Sequence, residues 1–250
     1  MLLSEMLTYT AAEFLDDRAD LVDGEADNLW SDAFLCRQFN RATRILTRRA
    51  WVLIDTGNPT AGRIVLATGK STYPLHKSVL YVYDAQPSTQ DYPLGRATDS
   101  QLKNASNTND LDAFDVGEAA SLAGDALTGT TLSIATDAGT RILRVYPVPT
   151  STENGVVVTL KVARMPVTFL TLDDTDAEPE IDEQWHEDIC EYAAGKALTL
   201  PTVDSDQKVE GRRLLTEFAE TVRLARQERV RAEMGSGRWG FSSTTAACGK

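Results

Sequence analysis

The sequence predicts an α+β protein: terminal helices packed as a helical bundle, with an inserted antiparallel β-sandwich-like domain. Three observations carry this expectation. Apolar residues recur at helical spacing in residues 1–50, alternate at strand spacing from Trp51 to Leu172, and return to helical spacing from Asp182. A chain ordered as helix pair, strands, helix pair packs its terminal helices together. The expected division is 1–50 for the N-terminal helices of the bundle, 51–172 for the β-rich inserted domain, 173–234 for the C-terminal helices and 235–250 for a C-terminal arm.

The first helix is placed by Thr10 and Glu13 of TAAE, which have capping-box spacing, with Phe14, Leu15 and Leu21 as the apolar stripe behind them. The acidic stretch DGEADN breaks that pattern. Ser31 is a good N-cap for a second helix, Trp30 can staple onto Leu35, and Leu35, Phe39, Ala42 and Leu46 form its buried face. Arg44, Arg48 and Arg49 suit its C-terminal dipole end.

WVLID, RIVLA, VLYVY, TLSIA, RILRVYPV and VVVTLKVA then read as strands, rich in β-branched and aromatic residues and separated by Gly, Pro, Asn and Asp. RILRVYPVP and VVVTLKVARMP, joined through Asn154-Gly155, read as a hairpin. Residues 86–118 are polar and weakly patterned, and read as a long loop. In the third helix Trp185, Ile189, Tyr192 or Ala193, and Ala197 keep helical period until Pro201. A last helix runs from about Ser205 to Met234, with Leu214, Leu215, Phe218, Val222 and Ala225 as its stripe. The tail GSGRWGFSSTTAACGK is rich in Gly and Ser yet carries Trp239 and Phe241.

The chain has 250 residues, 42% apolar and 25% charged, with a formal net charge of −12. That balance argues against a free-standing nucleic-acid binder, which needs a basic surface to release counterions. Cys36, Cys190 and Cys248 are odd in number and form no CxxC pair, which fits reduced thiols. The N-terminus lacks a basic region followed by a signal-like apolar core, and no segment approaches the roughly 20 apolar residues of a membrane span. A protein made in the cytoplasm and not secreted by an ordinary route is expected.

Chemical motifs are scarce. His186 and Cys190 stand four apart on one helix face, but a zinc site needs more N/S ligands than the two histidines and scattered cysteines provide. Glu180, Asp182 and Glu183 have an ordinary explanation as negative charge at a helix N-terminus. DDTDAEPEIDEQ suggests calcium by its alternating acids, yet from Asp174 the positions that an EF-hand reserves for Gly and Glu hold Pro179 and Trp185. GxSxG, P-loop, GxGxxG and HExxH motifs are absent, so no catalytic residue, metal ligand or cofactor is nominated. Arg223, Arg226 and Arg229, with Arg231 nearby, form either a solvated helix face or a contact face for an acidic partner or nucleic acid. Arg238, Trp239 and Phe241 behind them have the composition of an interface anchor.

The helix pair with WSDAFLCRQFNRATRIL, the expected hairpin LRVYPVP…VVVTLKVARMP, and EPEIDEQWHEDICEYAAGKAL followed by a long Arg-rich helix together resemble head-to-tail adaptor (connector) proteins of tailed bacteriophages. The resemblance covers most of the chain in order and spacing. It implies a structural virion protein and not an enzyme, with no cofactor. Such adaptors form a ring, usually of twelve copies, between the phage portal protein and a tail or nozzle protein. Their place is the virion's head–tail interface, after assembly in the host cytoplasm, with no membrane contact. It further implies a portal-binding C-terminal segment, here Arg223, Arg226, Arg229, Arg231, Arg238, Trp239 and Phe241. The long middle β region departs from the smallest, all-helical adaptors. Net acidity suits a ring whose lumen passes genomic DNA without sequence-specific binding. A rival reading is a β-sandwich receptor- or carbohydrate-binding module of a virion or cell surface, which leaves the four flanking helices without a role.

Overall fold

The computed structural model describes residues 1–15, 30–91, 93–96, 128–129, 133–137, 141–146 and 148–236; of 96, 128, 129, 133, 137 and 233–236 it describes the backbone alone. Among the described residues four helices and antiparallel sheets make a mixed α+β protein: α1 (Leu3–Glu13), α2 (Asp32–Ala50), α3 (His186–Leu198) and α4 (Ser205–Ser236) flank ten short strands. Among the described residues no helix is long and apolar enough to cross a membrane.

α1 starts earlier than its sequence suggests. Thr10 lies inside the helix, fully buried, with its hydroxyl donating to the Met6 carbonyl at 2.7 Å. The helix instead begins where Glu5 accepts from the Leu2 amide at 2.8 Å. The Leu3 and Ser4 amides donate to the Ala177 and Thr175 carbonyls, so a distant turn satisfies donors that a local cap would otherwise take. Leu21 lies outside the described residues. α2 follows its expected start, with Ser31 Oγ accepting from the Phe34 amide at 3.3 Å. It ends at Trp51, whose left-handed φ of 54° is unusual for a bulky residue. Stacking of Trp51 on Tyr81, 5.1 Å between ring centroids, helps hold it there.

The helices enclose one apolar core: Leu3 and Met6 of α1, Leu35, Phe39, Ala42 and Leu46 of α2, Ile189, Cys190 and Ala193 of α3, and Leu214, Phe218, Val222 and Ala225 of α4. α3 is preceded by a 3₁₀ turn, Glu183–Trp185, so Trp185 falls outside the α-helix and is only half-buried against this core. α3 and α4 cross where Gly195 faces Gly211, and beside that crossing Tyr192 and Phe218 meet at 4.7 Å.

The strands are β1 (Ile54–Thr56), β2 (Arg63–Val65), β3 (Thr72–Pro74), β4 (Val79–Pro87), β5 (Gly95–Arg96), β6 (Thr128–Gly129), β7 (Ser133–Asp137), β8 (Ile142–Tyr146), β9 (Val148–Pro149) and β10 (Val157–Arg164). β10 is the centre of the first sheet, with β4 along one edge and β1 and β2 end to end along the other. A second sheet runs β3-β8-β7-β5, and β6 pairs with β9. The pairings β5·β7 and β6·β9 are parallel, unlike the antiparallel remainder. Tyr73, Ile134, Leu143 and Val145 of the second sheet share one apolar cluster with Val82, Val158, Leu160 and Val162 of the first.

The hairpin expected between RILRVYPVP and VVVTLKVARMP does not form. β8 pairs with β3 and β7, whereas β10 pairs in the other sheet. Pro147 and Pro149 lack the N–H that an antiparallel ladder would need there. The turn at Asn154-Gly155 is real, with Gly155 at φ +84°, but its amide donates to Leu66 and carries the chain from one sheet to the other. Of the 86–118 stretch, residues 86–87 belong to β4 and 95–96 to β5, and 97–118 lie outside the described residues.

Candidate partner-binding surface

α4 buries one face, Leu214, Phe218, Val222 and Ala225, and turns the rest outward. Its arginines do not form one stripe. Three residues advance a helix by about 300°, so Arg223, Arg226 and Arg229 fan over roughly 120° of the surface. Arg223 is held by Glu220 of the same helix, Nε to Oε2 at 2.8 Å. Arg226 and half-buried Arg229 reach the C-terminal end of α2, where with Arg49, Trp51 and Val230 they line a cleft of about 50 Å³. Arg229 also borders a larger cleft, about 220 Å³, together with Val52, Asp182, Trp185 and Glu228. Arg231 is exposed. The structure thus brings Arg226 and Arg229 together with an α2 arginine and an aromatic ring, and leaves Arg223 committed to a local pair. Arg238, Trp239 and Phe241 lie outside the described residues.

His186 and Cys190 are packing residues. His186 is 2% exposed, and its Nε2 lies 3.1 Å from the Ile181 carbonyl. A carbonyl only accepts, so Nε2 carries the proton and Nδ1 is left to accept from the Met1 amine at 2.9 Å. Burial holds the imidazole below its ordinary pKa, against the Ile181 hydrogen bond. Burial likewise pushes the Cys190 thiol up to about 12, so it is not a nucleophile at neutral pH. Among the described residues no three His, Cys, Asp or Glu side chains gather as metal ligands.

The acids before α3 have a use that helix-dipole reasoning did not reveal. Glu180 closes a clamp on Arg164, the last residue of β10, which is only 5% exposed. Arg164 Nη1 donates to Glu180 Oε2 at 2.5 Å, while its Nε and Nη2 donate to Asp55 Oδ2 of β1 at 3.1 and 2.9 Å. Glu180 also accepts from the Val167 and Thr168 amides, at 3.0 and 2.8 Å, and from the Thr168 hydroxyl. Nearby, Asn40 of α2 grips the same connecting segment in both directions, donating to the Leu170 carbonyl at 2.8 Å and accepting from its amide at 2.9 Å. This segment and α2 line a cleft of about 320 Å³. Sequence reasoning passed over Arg164; the one available signal was a charged residue that follows the inward-facing Val162 and Ala163 at the end of the strand, where Lys161 before them faces outward.

The clamp sets a pH dependence. Burial pulls the Glu180 carboxyl up, but the hydrogen bonds from Arg164, Thr168 and Val167 outweigh it and bring it from 4.5 down to about 2. Asp55 is shifted in the same direction: burial raises it, and Asn58 and Arg164 more than offset that. A carboxyl with a lower pKa folded than unfolded stabilises the fold fully above its unfolded value, and loses that contribution as pH falls through the folded one. Thermal unfolding should therefore show stability falling between about pH 4.5 and 2, with Glu180→Gln flattening the slope. An unchanged slope in the variant would show that the clamp is not what titrates.

Comparison with known families supplies the class to which these features belong. Residues 1–240 match the model of the SU10 adaptor protein family. The chain belongs to that family, and with it to the phage head–tail adaptors that its sequence resembles. Membership gives the chain a structural role in the phage virion, in company with other virion proteins. No curated protein matches the sequence.

Proposed function

We propose that the protein forms a ring joining the portal of the phage head to the tail or nozzle protein, and conducts the genomic DNA through its lumen during ejection. The observation that carries this reading is the family match over nearly the whole chain. In this reading residues 1–50 and 173–234 are the bundle that builds the ring wall, residues 51–172 are a β-sandwich-like insert on its outer or tail-facing side, and residues 235–250 are the arm that reaches the portal. A net charge of −12 per copy supports the conduit role, because a duplex in transit should meet walls that do not hold it.

Portal attachment would rest on Arg226 and Arg229, which share a cleft with Arg49 and Trp51, and on Arg238, Trp239 and Phe241 beyond them. Arginine can pair two-pronged with partner carboxylates, and an aromatic anchor buries a large area. Deleting residues 235–250 should leave a folded protein that no longer joins portal-bearing heads in co-sedimentation. Trp239→Ala alone should weaken attachment by at least about 2 kcal/mol, the threshold of an interface hot spot. Wild-type occupancy by the truncated protein would move the contact off the arm. Negative-stain images of the protein with its portal test the ring itself.

A further inference from the structure

Arg37, Arg41, Arg44 and Arg48 of α2 are all exposed, and the sequence has no acidic residue between Asp32 and Asp55. Their spacing of four, three and four keeps them within an arc of about 60°, so they form one stripe roughly 16 Å long. On α4, by contrast, Arg213 and Arg223 are paired with Glu210, Glu217 and Glu220 of their own helix. Among the described residues no ion pair involves the α2 stripe; Arg37 donates to its own helix at Ala33 O, and Arg44 lies 4.2 Å above the Phe169 ring. Lys196 of α3, whose ammonium lies 5.5 Å over the Tyr192 ring, is held below its ordinary pKa by burial and, after that, by the Arg41 charge.

The segment that crosses α2 beside this stripe has the opposite character. Asp173, Asp174, Asp176 and Glu178 are exposed, and Phe169 and Leu172 remain 39% and 42% exposed. We propose that a second copy of this chain docks its acidic 169–178 segment on the α2 arginine stripe, in a head-to-tail contact. The charges are complementary, and docking would cover the exposed parts of Leu172 and of Phe169, whose other face Arg44 already covers. Because the two faces differ, the contact can repeat head to tail into a closed ring, the arrangement that the ring reading selects over a reciprocal two-fold pair, which native mass spectrometry would show as a dimer. A DNA duplex could also meet an arginine stripe, but the field of a chain at −12 opposes its approach. The inference rests on the ring reading above and names the faces that join.

Charge reversal of each face in the full-length protein tests it, read by light scattering and native mass spectrometry with and without portal. Arg41→Glu/Arg44→Glu/Arg48→Glu places acid on both faces, and Asp173→Lys/Asp174→Lys/Asp176→Lys places base on both. Each variant alone should need at least tenfold more protein to assemble, and an equimolar mixture should recover assembly, because every contact in an alternating complex again pairs opposite charges. Wild-type assembly should weaken between about 50 and 500 mM salt. If the α2 variant assembles like wild type, or the mixture recovers nothing, this contact is wrong while the ring reading stands. Wild-type protein that stays monomeric even with portal overturns both. Duplex binding by wild type that is lost in the α2 variant, with self-association unchanged, assigns the stripe to nucleic acid and overturns the proposal.

Discussion

Replacing Arg164 with methionine should destabilise the protein by about 3–5 kcal/mol, the range for breaking a buried ion pair from one side. For a chain of this size that corresponds to a fall in Tm of roughly 6–20 °C. Arg164 is 5% exposed, and its guanidinium faces Asp55 Oδ2 and Glu180 Oε2 from opposite flanks. Methionine fills much of the same volume but leaves two partly buried carboxylates without a counter-charge. The carboxylates keep some partners, Asn58 for Asp55 and the Val167 and Thr168 amides for Glu180, so the loss stays below that of a wholly stranded pair. Adding Asp55→Asn and Glu180→Gln should recover part of the stability, because the penalty lies in the stranded charges. If the single variant melts within 2–3 °C of wild type, about 1 kcal/mol, the clamp is not a principal tie between β10 and the segment entering α3.

Gly211→Leu should cost about 3 kcal/mol, at the upper end for overpacking, and Gly211→Ala roughly 1 kcal/mol. A Cβ on Gly211 would fall 2.8 Å from Leu198 Cβ and 3.0 Å from the Gly195 carbonyl oxygen. The second neighbour is backbone of α3, which cannot rotate away. On the other side of the crossing, a Cβ on Gly195 would meet Leu215 Cγ at 2.9 Å and the Gly211 carbonyl at 3.0 Å. Alanine gains about 1 kcal/mol of helix propensity over glycine, which offsets part of the clash; leucine gains about as much but adds a side chain with nowhere to go. The two helices would have to move apart and loosen the Tyr192–Phe218 contact beside them. Denaturant melts would read the loss as a lower midpoint at unchanged slope. A Gly211→Ala protein more stable than wild type would mean that the crossing is looser than the backbone contact implies.

The sequence by itself determined the order of helical and extended zones, because period is a local property, though not the bounds of α1 or the shortest strands. α2 illustrates this: Ser31 caps it, Leu35, Phe39, Ala42 and Leu46 are buried, and its arginines face water, all as the 3.6-residue pattern requires. The resemblance to head–tail adaptors was likewise legible, since it lies in the order of these segments. The tertiary structure decided everything that depends on what a segment meets. Thr10 could have been a cap, and lies in mid-helix because carbonyls from residues 175 and 177 satisfy the true start of α1. The runs 142–149 and 157–164 alternate like hairpin partners, yet join different sheets, because alternation fixes which side chains face inward and not which strand lies alongside. Glu180 looked like one acid among several at a helix start, and became the counter-charge of Arg164, 16 residues away. The arginines of α4 looked like one face and were divided by helical rotation, whereas those of α2, at spacings of four, three and four, stayed on one. Local pattern fixes conformation and facing; only the packed chain fixes which charges find partners within it and which remain open to another molecule.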